Sequence, residues 1–413
     1  MACASPVRRR ATFRHVLPPR PGDPAMRAAI ACLVFAYVLS QFYRAFLAVL
    51  SPLLAADIGA TPEDLAAASG LWFLAFSLMQ IPVGSALDRV GPRLTTALLL
   101  AVGAIGAGLF AAATGPGAIK LAMVLIGIGC SPVLMAGYYI FARIYPPALF
   151  GTLAGAMIGL GSFGNIASAL PLAWAADSFG WRPTVAVIAA ITLATALACL
   201  GLVRDPPRLP ATKGSLLDLL KLRALWPILI MMAVCYAPAA GIRGLWVGPW
   251  YRDVFGADTA RIGQVTLLMG LAMVAGNFAY GPLDRLLGTR KGVILGGNLA
   301  AAACLLGLAL LPLSGGWGSV ALLAGLGFFG ASFPMVIAHG RAFLPPHLMG
   351  RGVTLLNLFG VGAVGVMQMA TGALYAAAPA PTPDAPYDML FLAFALVLLA
   401  GTLAYAFSRD RVD

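Results

Sequence analysis

A chain that reads as twelve apolar runs of about twenty residues, joined by short polar turns, has one solvent open to it, a lipid bilayer. The runs fall at 28–54, 66–87, 94–113, 119–142, 150–173, 183–203, 224–250, 262–283, 292–313, 318–340, 352–376 and 388–408. Each can carry an α-helix across a hydrocarbon core about 30 Å thick, at about 1.5 Å per residue. Strands of a membrane barrel would instead be about ten residues long and would alternate apolar with polar positions. Composition agrees: the chain is 61% hydrophobic and 10% charged, whereas soluble domains carry about 25% charged residues. The expected fold is therefore an all-α membrane protein.

Charge sets the orientation. With the N-terminus placed in the cytoplasm, twenty-one of the 27 Lys and Arg fall on the cytoplasmic side. Only Lys120, Arg182, Arg252 and Arg261 fall opposite. The positive-inside rule then puts both termini in the cytoplasm, and the expected membrane is a bacterial inner membrane. Residues 1–27, with Arg8, Arg9, Arg10, Arg14 and Arg20, read as a disordered basic tail and not as a cleavable signal peptide; Met26 offers a second start. Residues 28–203 form an expected first six-helix bundle, 204–223 a cytoplasmic linker, and 224–413 a second bundle.

The formal charge of +12 is spread over loops and not gathered on one water-facing domain, which excludes nucleic acid as a partner. Cys3, Cys32, Cys130, Cys199, Cys235 and Cys304 have no metal-finger spacing and read as packing or tail residues. No phosphate-binding glycine loop ending in Lys-Ser/Thr occurs, so ATP does not drive this protein. There is no catalytic cluster. The chain therefore does not read as an enzyme and calls for no cofactor.

The two halves repeat. Pro146, Pro147 and Gly151 recur as Pro345, Pro346 and Gly350, and Arg44 recurs as Arg243, both at an offset of 199. After the second span comes Gly84, Asp88, Arg89, Gly91 and Arg93; after the eighth comes Asp284, Arg285, Gly288 and Arg290. In this motif and in the parallel six-plus-six repeat the chain resembles the major facilitator superfamily. That resemblance implies a monomeric transporter of a small molecule, whose two pseudo-symmetric bundles rock about a central site to give alternating access. Asp88, Arg89, Arg93, Asp284 and Arg285 are the expected gating residues, able to cap a neighbouring helix or to pair across the gap between halves.

A charge inside a span costs about 2.5 to 3.5 kcal/mol on insertion scales, so it usually faces a cavity. Arg44 and Arg243 are the two strong cases, and the carboxylates all map to loops, span ends or the tail, where none is placed to neutralise them. A guanidinium presents a planar fork that fits carboxylate or phosphate, so the expected cargo is a small organic anion. The sugar-phosphate and glycerol-phosphate exchangers of the superfamily resemble this chain in such an arginine pair. Tyr43, Gln41, Trp246, Tyr139 and Asn357 complete the expected substrate site. Tyr37, Gln80, Tyr138, Asn165, Tyr236, Asn277 and Gln368 also place polar groups in spans, where tying helices together is the stronger reading for each.

Three further features admit other roles. Gly151, Gly155, Gly159, Gly161 and Gly164 in the fifth span, and Gly352, Gly360, Gly362, Gly365 and Gly372 in the eleventh, suit close helix approach. His339 is the intramembrane group able to titrate near neutrality. Met231 with Cys235, and Met269 with Met273, sit four apart as a copper(I) importer would place them. Multidrug efflux is the other rival, although paired arginines would repel cationic drugs.

Overall fold

The computed structural model describes residues 24–207, 219–345 and 349–411. Twelve helices among them are long and apolar enough to cross a membrane: Pro24–Tyr43, Pro62–Arg89, Pro92–Ala111, Pro116–Ile144, Thr152–Phe179, Trp181–Leu202, Arg223–Phe255, Thr259–Asp284, Arg290–Leu310, Trp317–Arg341, Arg351–Ala377 and Ala385–Ala406. Eleven of them match the expected runs to within several residues, the first being shorter than expected, and no strand occurs among the described residues. Of the expected tail, 1–23 lies outside the described residues, as do 208–218 of the linker and 346–348 of the second Pro-Pro turn. Residues 24–27 already belong to the first helix, which corrects the expected tail boundary.

Helix starts follow local chemistry. Proline opens the helices at Pro62, Pro92 and Pro116, where its missing N–H is no loss. Thr61 and Asp64 form a reciprocal capping box ahead of the second span.

Several spans are broken. The first, expected as one helix over 28–54, stops at Tyr43 and resumes as Phe46–Ile58. Arg44 sits in the intervening turn, where Ala45 N–H reaches back three residues to Phe42 O at 3.1 Å. The seventh span bends in the corresponding place: Pro238 lies in the short helix Ala237–Gly241, and a π-turn follows over Ile242–Trp246 with Arg243 in it. Discontinuous helices at mid-membrane free backbone groups next to a site.

The halves meet along three glycine-lined seams. A Cβ on Gly365 would stand 2.7 Å from Gly70 O, and one on Gly70 would stand 2.8 Å from Gly365 O, so only glycine lets the second and eleventh spans cross so closely. Gly248 of the seventh span packs against Ala48 O and Ser51 Oγ, and Gly263 of the eighth against Leu170 and Ala173. Glycines of the fifth span, expected to suit close helix approach, do so only in part. Gly161 and Gly164 pack on Tyr37 and Val38 of the first span, while Gly155 and Gly159 have nothing within 4 Å.

These seams run from mid-membrane to the face opposite the basic loops. Among the described residues the substantial packing between halves is confined there, and the basic ends of the fourth and tenth spans pack within their own half. The cleft between the bundles therefore opens toward the basic face.

At that face each half stitches itself together. Asp205, after the sixth span, accepts from Arg93 N–H at 2.9 Å and caps the third span. Asp410, after the twelfth, accepts from Lys291 N–H at 3.0 Å and from Thr289 Oγ1 at the start of the ninth. Partial burial works to raise the Asp410 carboxyl, but the hydrogen bonds from Thr289 and Lys291 hold it below the usual carboxylate range. Gly91 of the loop motif has φ 103°, and a Cβ there would lie 2.5 Å from the Asp205 carboxylate. Only glycine satisfies both demands.

Candidate substrate site between the halves

The breaks in the first and seventh spans touch: a Cβ on Gly244 would lie 2.9 Å from Arg44 O. Both arginines thus leave one junction at the head of the cleft, although they are held differently. Arg44 is half-buried, and its guanidinium carbon lies 4.7 Å from the Phe76 ring centre and 5.5 Å from that of Trp72. Among the described residues it makes no hydrogen bond and no ion pair, and its Nε is buried without a partner. Cation–π contacts supply about 0.5–2 kcal/mol, which leaves part of the burial cost of about 2.5–3.5 kcal/mol unmet.

Arg243 is 4% exposed and so does not reach the membrane surface. It donates across the interface to Asn165 of the fifth span, from Nη1 to Oδ1 at 2.9 Å and from Nη2 to the main-chain O at 2.7 Å. The fifth span breaks just beyond: Ala169 N–H turns back to Ile166 O, three residues away, which leaves Asn165 O open to the guanidinium. A charged hydrogen bond contributes about 1.5–3 kcal/mol, so two of them offset the burial of Arg243. Its Nε remains unpartnered, with Gly270 making room beside it. Neither arginine meets a carboxylate among the described residues.

Two tyrosines lie near the arginine pair. Tyr37 and Tyr236 each precede their arginine by seven residues, two helical turns toward the basic face, and they are 199 apart. Tyr37 lies within electrostatic reach of Arg44, Tyr236 and Tyr138, and Tyr236 within reach of Arg243. The shared offset was the available signal. Gln368 forms a second tie between halves, donating from Nε2 to Ser69 Oγ at 3.2 Å and to Gly241 O at 3.1 Å. The buried Oε1 of Gln41 and of Gln368, Oγ of Ser40 and Nε1 of Trp72 have no partner among the described residues.

Other expected site residues sit elsewhere. Tyr43 is fully buried inside the first half, its hydroxyl 2.9 Å from Thr192 Oγ1. It points away from the cleft because the helix ends there. Trp246 is buried in the second half, donating to Thr371 Oγ1 at 3.1 Å and packing on Tyr375 and Tyr387. Tyr139 lies toward the basic face, its ring centre 3.9 Å beneath the Arg143 guanidinium. Gln41 stays beside Arg44, and Asn357 is half-buried in the eleventh span.

Three of the expected gating residues bond within their own half. Asp88 pairs with Arg143 at 3.2 Å, Asp284 with Arg290 at 3.0 Å, and Arg93 Nε donates to Leu200 O at 2.6 Å. Arg89 is exposed, and the side chain of Arg285 lies outside the described residues. His339 is pinned by Tyr405 at 2.7 Å and by Arg409 O at 3.1 Å. Because a carbonyl only accepts, Nε2 carries the proton and Nδ1 accepts from the tyrosine. Cys235 donates to its own helix, at Met232 O, and Met269 packs against Gly327.

Comparison with known proteins places this architecture. The family model described as Major Facilitator Superfamily matches residues 33–367. The uncharacterized transporter YybO of Bacillus subtilis is 26% identical over 156 residues, 38% of this chain and 36% of that protein. The nitrate/nitrite transporters NrtP of Picosynechococcus and of Nostoc punctiforme are 37% identical over 94 residues and 28% over 161. These stretches cover 22% and 36% of this chain and 17% and 32% of theirs, so the chain spans well under half the length of the curated relatives it matches. Among solved structures, a bacterial homologue of the lysosomal transporter Spinster, inward-facing and unoccupied, has a TM-score of 0.75 at 17% identity, with 94% of this chain and 98% of that chain covered. A D-xylose–proton symporter has a TM-score of 0.74 at 14% identity, with 93% and 98% covered. The chain is a multi-pass membrane transporter, not an enzyme, and belongs to the major facilitator superfamily.

Proposed function

We propose that this transporter carries a small anion, held between Arg44 and Arg243 at the junction of its two halves. The observation that carries the reading is Arg44: a permanent cation inside a span, stacked on Phe76 and Trp72, with no hydrogen bond or ion pair among the described residues. An oxyanion would supply what the protein does not, and its second edge would meet Arg243. Tyr37 and Tyr236 would flank it on the side from which it enters. The short matches to nitrate/nitrite transporters support an anionic cargo, and the planar guanidinium fork favours carboxylates and phosphate esters as its organic forms. With the basic face in the cytoplasm, the conformation described is inward-facing, and the alternative state closes the basic ends and parts the glycine seams.

Uptake into proteoliposomes from a panel of nitrate, carboxylates, phosphate esters and a cationic dye tests this. Movement of one anion class, competed by its neighbours in the panel, is expected. Transport of the dye with no anion moved would replace the reading with drug efflux.

Asp88 is proposed as a gating residue whose pairing with Arg143 shapes the basic end of the fourth span. Asp88→Asn is expected to cut the uptake rate severalfold while membrane expression stays near wild type; an unaltered rate would remove the gating role.

A further inference from the structure

Two lipid-facing grooves flank the first span on its basic-side half, and they differ in one respect. The groove shared with the fifth span has a volume of about 560 Å³ and is walled by apolar side chains such as Val34, Val38 and Phe163, with Arg27 and Tyr145 also lining it. The groove on the opposite flank, shared with the sixth span, is of similar size at about 520 Å³ and is lined by Ala, Cys, Phe, Ile, Thr and Leu, with no charged residue. From Arg27 to Val38 the first span rises about 16 Å, half of a hydrocarbon core about 30 Å thick. The first groove is therefore one leaflet deep, with its cation at the headgroup end. Arg27 is exposed, and among the described residues neither its guanidinium nor the Tyr145 hydroxyl has a hydrogen-bond partner.

We infer that the groove between the first and fifth spans is a binding site for an anionic phospholipid, with an acyl chain along Val34, Val38 and Phe163 and the phosphate on Arg27 and Tyr145. The uncharged groove takes lipid tails without regard to headgroup. Size and apolarity are common to both, so the selectivity comes from the cation, as basic pockets between membrane helices select anionic headgroups.

Native mass spectrometry of the full-length transporter, released from nanodiscs of equal phosphatidylglycerol and phosphatidylcholine, tests the site. Wild type is expected to retain phosphatidylglycerol preferentially. Arg27→Gln is expected to lower that preference about fivefold, the effect of about one basic residue near a headgroup, while phosphatidylcholine retention stays level. Val34→Trp, which fills the groove and leaves the cation, is expected to displace the bound lipid. Equal retention of both lipids by wild type, or an unchanged preference in Arg27→Gln, would overturn the inference. Both readouts are independent of transport, so a failed anion assignment leaves this result standing.

Discussion

Arg44→Gln is expected to abolish anion uptake while the protein still folds. In the described state Arg44 bonds to nothing but two aromatic faces, so its loss removes no structural hydrogen bond and relieves a buried charge. Truncating one partner of a buried charge pair costs about 2–5 kcal/mol, which puts the loss of anion affinity at about 30-fold or more. Arg44→Lys keeps the charge but loses the planar fork, and intermediate affinity is expected. Arg243→Gln should match the loss of uptake and also destabilise the sealed end, because it removes both bonds to Asn165. Thermal unfolding with and without anion separates the two: Arg44→Gln should unfold at or above the wild-type temperature with no ligand response. Retained anion protection in Arg44→Gln would rule the pair out as the site.

Gly248→Val is expected to trap the transporter away from the described conformation. A Cβ at 248 collides with Ala48 O and Ser51 Oγ, both backbone-anchored groups of the other half. Overpacking of this kind costs about 1–3 kcal/mol, a shift of about 5- to 150-fold in the ratio of two states. The measurement is labelling of a cysteine placed at Ala48 by a membrane-impermeant maleimide. In the wild-type background the seam covers this position; with Gly248→Val the rate should rise by that factor and net transport should fall. Unchanged labelling would mean that the seam yields locally and does not govern access.

How much of this was legible in the sequence depends on length scale. The spans were readable because lipid imposes a twenty-residue apolar register, and the symmetry was readable because Arg44 and Arg243 share an offset with the Pro-Pro turns. The break at Arg44 was not, since neither proline nor glycine marks it; it comes from Ala45 N–H closing a shorter turn. Tyr43 was assigned to the cleft by adjacency to Arg44, which fails where the helix stops between the two. Asn165 was seen as one polar residue among many, because its value lies in a carbonyl freed by a break four residues on. The caps made by Asp205 and Asp410 carry no local sequence mark beyond their matching positions after the sixth and twelfth spans.

Those two caps carry a mechanical implication. Each bundle caps its own helices at the basic end, Asp205 within one and Asp410 within the other, so under the proposed rocking motion that end can swing shut with both caps intact. The bonds that must break lie at the other pole, where Arg243 grips Asn165 and Gln368 grips Ser69. Under that motion the resistance to turnover is concentrated at a clasp in which the Arg243 cation holds Asn165 and Gln368 holds Ser69, and an anion that draws Arg243 toward itself loosens the clasp from within.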